Sequence, residues 1–377
     1  MKNELIKHDT SDRMVALLAD KLRTRILSGE FQPDDRLPNW EELSKMFDVS
    51  KVTVSKAIKE LQEDGFVYSK VKLGTFVCSV LPQTRRYGLI INEHKHSVRK
   101  TWSLAQIALR DAARHLTRTG NIELLTYDLP DDMTASSRGD YDRLVKELQH
   151  GTLGGLIFSY IKSPELRELI ERSKIPYVRT YAGKFDAEPD SSWRDSVCNV
   201  IYDHDELIMM GAEHVHSSGL ETVAVIDFQG NKDGLPELLT ERFGLQSRRE
   251  WCLNTANDFE QAGMFVKLFF NAPAGDWPEA IIIGDDHLTE SVSRSVAALD
   301  IPEERKPLLI SYCNYPVLPK IHHPVTFLGL NAYTFRGAAL DALMGEIQIS
   351  PDKKIIIHHE FFSNAQINKT RQNAVNY

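Results

Sequence analysis

Residues 39–77 read NWEELSKMFDVSKVTVSKAIKELQEDGFVYSKVKLGTFV, and this stretch decides the fold of the amino-terminal unit. Asn39 is a good N-cap for a short helix over WEELSKMFDV, with Glu42 three residues on, where a capping box places its acid. Ser50 caps a second helix, KVTVSKAIKELQED, whose inward stripe is Val54, Ala57, Ile58 and Leu61 and whose stop is Gly65. FVYSKVKLGTFVCS then alternates as two short strands around a basic turn. Two short, tightly joined helices followed by a basic hairpin describe a helix-turn-helix with a wing. In that motif the N-terminal residues of the second helix meet the major groove.

Upstream, SDRMVALLADKLRTRILSGE carries Met14, Leu18, Leu22 and Ile26 near the helical period, with Ser11 or Asp12 as cap and Gly29 as stop. FQPDDRLP follows as a loop broken by Pro33 and Pro38. The expected DNA-facing residues are Ser50, Lys51, Val52, Thr53, Ser55 and Lys56, together with Arg36, Asn39, and Lys70, Lys72 and Gly74 in the wing. Lysine in the first turn opposes the helix dipole by about 0.3–1 kcal/mol. A phosphate or a guanine edge gives a reason to place it there. Any one lysine could simply be solvated; several on one reading face and its wing point to nucleic acid. The net charge of −8 means that any such contact comes from a local basic face.

From Leu22 to Val77 the chain resembles the GntR family of bacterial regulators, through LRTRILSGEFQPDDRLP, ELSKMFDVSKVTVSKAIKELQEDGFV and the closing LGTFV. The resemblance implies a winged domain that binds double-stranded operator DNA, as a homodimer reading two half-sites. Three positions depart from the family pattern. Glu41 stands at a usual DNA-contacting arginine, Lys51 replaces the arginine after the capping serine, and Ser55 replaces another frequent arginine. Lysine lacks arginine's bidentate fork, so the family's usual operator sequence is not expected here.

The remainder alternates strands and helices. After a polar stretch, SVLPQTRR, come YGLIIN, NIELLTYDL, GGLIFSY, PYVRTYA, TVAVIDF, EAIIIG and PLLISYC, with amphipathic helices between. Repeated βαβ units with continuous apolar strands specify parallel sheets covered by helices, with ligands beyond the carboxyl ends of the strands. No GxGxxG, GxxxxGK[ST] or GxSxG context appears, and Asp285-Asp286 alone is too weak for acid–base catalysis. His214 and His216, two apart on a helix, do not share a face, so no metal site and no cofactor are expected. Cys78, Cys198, Cys252 and Cys313 lie far apart without a CxxC pair, as in a reduced cytoplasm. No run approaches eighteen apolar residues, and MKNELIKHDTSDRM lacks a signal-peptide core, so no membrane partner is expected.

The order of elements over residues 86–365 resembles the periplasmic-binding-protein fold in its LacI-type sensor version. LGGLIFSYIKSPELRELIERSKIPYVRTY, VCNVIYDHDELIMMGAEHVHSSGLETVAVID and EAIIIGDDHLTESVSRSVAAL carry it, with TFRGAALDALMGEI and IIIHHEFF at the end. The expected architecture is therefore an α/β chain of three parts: a winged helix-turn-helix over 1–78, a linker over 79–86 and a two-lobed sensor over 87–377. Lobe one spans about 87–203 and 330–350, lobe two about 204–316 and 351–370, with crossings near Asp203, within Pro316–Leu330 and near Ser350.

The resemblance implies a sugar effector, and hence a transcriptional regulator, a repressor of carbohydrate utilisation genes, released from DNA when sugar binds between the lobes. It places Asp285 and Asp286 at the ligand, Asp286 foremost, with a helix N-cap as the plainer role. Asn231 or Lys232 occupies the region of a sugar-binding arginine, and Trp102 and Trp193 are stacking rings or core. Arg179 and Tyr181, at a strand end, face the cleft. Two alternatives stand beside this: an enzyme domain of the pyridoxal-phosphate type fused to the winged helix, and a ligand-free dimerisation platform.

Overall fold

A computed structural model describes residues 2–93, 104–130, 138–161, 163–183, 193, 195–227, 233–255 and 259–368. Trp102, Asn231 and Lys232 lie outside them.

Helix α1 (Lys2–Leu27) runs straight through Ser11 and Asp12 instead of starting there. KNELIKHDT contains no glycine or proline to interrupt it. Its inward face is Val15, Leu18, Ala19, Leu22 and Ile26, while Met14, expected in that stripe, is exposed. These residues pack against Leu43 of α2 (Trp40–Phe47) and Val54, Ala57, Ile58 and Leu61 of α3 (Lys51–Glu63). The capping box forms as expected. Asn39 Oδ1 accepts from the Glu41 and Glu42 amides at 2.9 and 3.0 Å, and Glu42 Oε2 accepts from the Asn39 amide at 2.7 Å. Ser50 Oγ accepts from the Thr53 amide at 3.1 Å. Gly65, at φ +86°, turns the chain out of α3 into the wing, β1 (Val67–Lys70) and β2 (Gly74–Val77), paired antiparallel from Val67↔Val77 to Lys70↔Gly74.

Residues 79–86 are a packed connection. Pro82 is buried and lies against Gly65, and residues 82–84 form one 3-10 turn. At Gly154 a methyl group would meet the Gln83 carbonyl at 2.1 Å, so only glycine lets lobe one come this close.

Lobe one is built from β3 (Arg86–Glu93), α4 (Leu104–Thr119), β4 (Glu123–Pro130), α5 (Arg138–His150), β5 (Gly155–Phe158), α6 (Pro164–Ser173), β6 (Tyr177–Ala182) and β7 (Cys198–Tyr202). The chain then crosses to lobe two: α7 (His204–Ser217), β8 (Val223–Asp227), α8 (Leu235–Phe243), β9 (Cys252–Asn254), α9 (Phe259–Phe270), β10 (Ala280–Ile283), α10 (Asp286–Ala297), β11 (Leu308–Tyr315) and β12 (Thr326–Asn331). It returns as α11 (Ala332–Met344) and β13 (Lys354–Ile356), then ends in lobe two with β14 (Glu360–Phe361). The sheet orders are β13-β7-β6-β5-β3-β4 and β14-β12-β11-β10-β8-β9. Every pairing within them is parallel except β12 with β14. Leu156, Ile157, Ala224, Val225, Ile281 and Ile282 are buried, as strands covered on both faces require.

The first crossing falls at Asp203 and the second next to Leu330, while the third falls later than expected. Thr326–Asn331 still pairs with β11, so the second crossing follows Asn331. Lys354–Ile356 pairs with Asn199–Ile201 of lobe one, which moves the third crossing from Ser350 to residues 357–359 and lobe two's return beyond 351. The polar turn at Ser350–Lys353 is a bend within lobe one, where the Lys353 amide bonds the Ser350 carbonyl.

Candidate functional site

At the head of α3, Val52 is 67% exposed, and Ser50, Lys51, Ser55 and Lys56 sit on the same open end. Lys51 Nζ lies 2.5 Å from Glu41 Oε1, and that bond holds the Glu41 carboxyl below its ordinary range. Lys56 faces Asp12 of α1 at 3.5 Å. Thr53 departs from expectation: it is buried, with its hydroxyl 2.8 Å from Ser50 Oγ, and completes the cap rather than facing outward. In the wing, the Lys70 ammonium lies over the Tyr68 and Phe76 rings, and Lys72 takes φ 62° at the exposed turn. Arg36 bridges to Phe76 and crosses the backbone at Gly74, where a methyl group would meet its Nε at 2.7 Å. Asn39 is spent on its cap. The sequence reasoning missed the wing tip: Val71 is 89% and Leu73 58% exposed beside Lys72, an apolar pair with no core to fill.

In lobe two, the carboxyl ends of β8, β10 and β11 bring a polar group together. Asp285 is the N-cap of α10 and accepts from the His287 amide at 2.9 Å, so the plainer role falls to Asp285 and not to Asp286. Asp286 is 1% exposed; its Oδ2 accepts from Asn314 Nδ2 at 2.9 Å and its Oδ1 lies 3.1 Å from His287 Nδ1. Burial would drive His287 toward its neutral form, but the bonds to Asp285 and Asp286 hold its pKa up at about 10. Burial raises the Asp285 carboxyl. Asp227, fully buried, ends β8 and meets His204 Nε2 at 3.1 Å. A methyl group on Gly284 would sit 2.5 Å from the Asp227 carboxyl carbon, which is why glycine ends β10. Phe259 stacks on His287 at 5.0 Å, and the Tyr312 hydroxyl donates to Asn314 Oδ1 at 2.9 Å.

In lobe one, Arg336 of α11 is buried and donates through Nη1 to Thr180 Oγ1 at 2.6 Å. Its Nε has no hydrogen-bond partner among the described residues, and burial weakens its charged form to about 9. Tyr202, at the first crossing, packs edge-on to Phe335 and His359. Arg179 is buried at 5.1 Å from the Tyr181 ring, near the ends of β5 and β6. Trp193 does not reach this group. It packs edge-on to Phe158 and Tyr177 in the core of lobe one, where Arg167 covers its face. His204, Asp227, Asn314 and Arg336 escaped the sequence reasoning because they lie far apart on different elements, and His287, next to Asp286, because a lone histidine carries no spacing signal.

At the carboxyl ends of β8, β10 and β11, carboxylates, an amide and imidazoles supply acceptors and donors of the kind that vicinal hydroxyls take. Among the described residues, two clusters hold three ligand-type side chains: Asp285, Asp286 and His287, and Glu60, Asp64 and His150. Each already contains a cationic partner, protonated His287 in the first and Arg23 at 2.7 Å from Asp64 in the second. Among the described residues no helix is long and apolar enough to cross a membrane.

Residues 16–77 match the profile of the bacterial regulatory proteins of the gntR family. The uncharacterized HTH-type transcriptional regulator YieP of Escherichia coli is 41% identical over 68 residues, 18% of this chain and 28% of that protein, so the chain spans little of this relative's length. The arabinose metabolism transcriptional repressor of Halalkalibacterium halodurans is 24% identical over 365 residues, 90% of this chain and 94% of that one. A LacI-family regulatory protein from Chloroflexus aggregans superposes with a TM-score of 0.53 at 14% identity, over 74% of this chain and 96% of its own. Residues 16–77 are thus a helix-turn-helix domain of the gntR family of bacterial regulatory proteins, joined to a two-lobed α/β unit with the fold of LacI-family regulators.

Proposed function

We propose that this chain is a cytoplasmic, homodimeric repressor of carbohydrate utilisation genes that leaves its operator when a small sugar closes the two lobes. The observation that carries the proposal is the joining of a DNA-reading helix to a two-lobed unit in which Asp227, Asp286 and Asn314 gather at the carboxyl ends of β8, β10 and β11. The near full-length similarity to a protein named an arabinose metabolism repressor makes L-arabinose the first effector to try. Met264 and Leu268, exposed one turn apart on α9, support a second copy. The relatives are named regulators, which supports a binding role rather than catalysis.

Thermal unfolding against free and phosphorylated pentoses, hexoses and deoxyhexoses tests the proposal. A sugar at one hundred times its dissociation constant stabilises the folded state by about 2.7 kcal/mol. A selective rise with one sugar, followed by release of DNA by that sugar, supports the proposal. No shift across the panel moves the lobes to a ligand-free dimerisation role. Linkage requires that bound DNA weaken the sugar by the same factor.

A further inference from the structure

The last residue of the recognition helix region is held by the sensor. Asp64, the C-cap of α3, is buried between three elements. Its Oδ2 accepts from Arg23 of α1 at 2.7 Å and meets His150 Nδ1, at the end of α5, at 2.8 Å. Its backbone carbonyl accepts from Arg86 Nη1 at 3.1 Å, while Arg86 Nε is bonded to Glu123 in lobe one. Glu60, one turn earlier on α3, faces His150 Nε2 at 3.7 Å, and Lys146 lies 3.8 Å from Asp64. Burial alone would raise the Asp64 carboxyl; His150 and Arg23 outweigh it and hold it below its ordinary range. Beside this contact runs a groove of about 420 Å³ lined by Lys56, Lys59, Glu63 and Lys146.

The opposite end of α5 belongs to the cleft side of lobe one. Asp140 Oδ2, in its first turn, accepts from the Asp128 amide near the carboxyl end of β4. Thirteen residues of helix separate the two ends, about 20 Å at 1.5 Å per residue. We propose that His150 is a positioning residue for DNA reading: by holding Asp64 it fixes α3 on lobe one, and α5 is the strut that carries the state of the cleft to the recognition helix. The proposal rests on the functional reading above for its DNA consequence, but the docking itself does not.

Tryptic cleavage after Arg85 reports the docking, because Pro82 lies buried under Gly65 and the linker opens only when the domains part. Full-length His150→Ala should release the N-terminal fragment about tenfold faster or more than the parent, as expected from losing a buried bond to a charged group. His150→Asn, whose amide can donate from the place of Nδ1, should stay near the parent. Equal rates in all three chains would overturn the latch, and so would Asn cleaved as fast as Ala. On a duplex selected from random DNA by the parent chain, His150→Ala should bind about tenfold more weakly with an unchanged salt slope, because orientation and not phosphate contact is lost. Unchanged affinity with fast cleavage overturns the positioning role. If the parent selects no duplex, the functional reading fails, while the cleavage rates still decide the latch.

Discussion

Glu41 and Lys51 neutralise one another at the entrance to the reading helix, with the ammonium 2.5 Å from the carboxylate on an open surface. The acid therefore occupies the nearest lysine. Replacing Glu41 by Gln frees Lys51, and replacing it by Arg adds a second cation. DNA affinity should rise in that order, and the slope of log K against log salt should steepen by ~0.9 for each phosphate gained. Filter binding between low and moderate salt measures it; a slope that does not change would place position 41 away from DNA.

The two caps at the head of the DNA-binding domain are separable. Asn39→Ala removes the acceptor for two amides of α2, and Ser50→Ala removes the acceptor for the Thr53 amide of α3. Each should cost about 0.5–2 kcal/mol in chemical denaturation. Thr53→Val, which deletes only the inward hydroxyl partner of Ser50, should weaken stability with little effect on DNA affinity per folded molecule.

In the cleft, Asp286 accepts one hydrogen bond from Asn314 and has its second oxygen beside His287. Asp286→Ala should abolish the sugar-induced rise in melting temperature while leaving DNA binding in the absence of sugar intact. Trp193→Phe, by contrast, should lower the melting temperature and leave the sugar-induced rise unchanged, because its ring is core.

The protonated His287 predicts a pH dependence with a definite sign. Its pKa in the folded chain, about 10, stands above the ordinary 6.5, so its contribution to stability is complete below about pH 6.5 and is lost as pH rises toward about 10. The melting temperature of the sensor should therefore fall between about pH 7 and pH 9. His287→Ala should flatten that slope; an unchanged slope would assign it to other groups.

What could be read in the sequence divides along physical lines. Caps at Asn39 and Ser50, the stripe of Val54, Ala57, Ile58 and Leu61, and the buried strands LIF and III are local patterns, and the chain forms them where spacing predicts. Thr53 turned inward because the third position of a capped helix faces its own cap, which exposure by helical period does not capture. Of the adjacent acids, only geometry tells which caps α10 and which points inward. The polar group of lobe two is assembled from the ends of β8, β10 and β11 and the starts of α7 and α10, and no spacing in sequence announces that His204 meets Asp227 or that Asn314 meets Asp286. The third crossing falls inside the stretch IIIHHEFF, which reads as one closing strand, because only pairing tells that Lys354–Ile356 joins lobe one and Glu360–Phe361 joins lobe two.

That short strand sets an order of events in synthesis. Lys354–Ile356 completes a sheet whose partner strand, Cys198–Tyr202, leaves the ribosome some 150 residues earlier, so lobe one cannot close until residue 356 has emerged. The core of the winged domain is drawn from residues 15–77, with Leu81 packed against it. On the proposed function, a nascent chain owns a folded DNA reader long before it owns the two lobes that would take an effector.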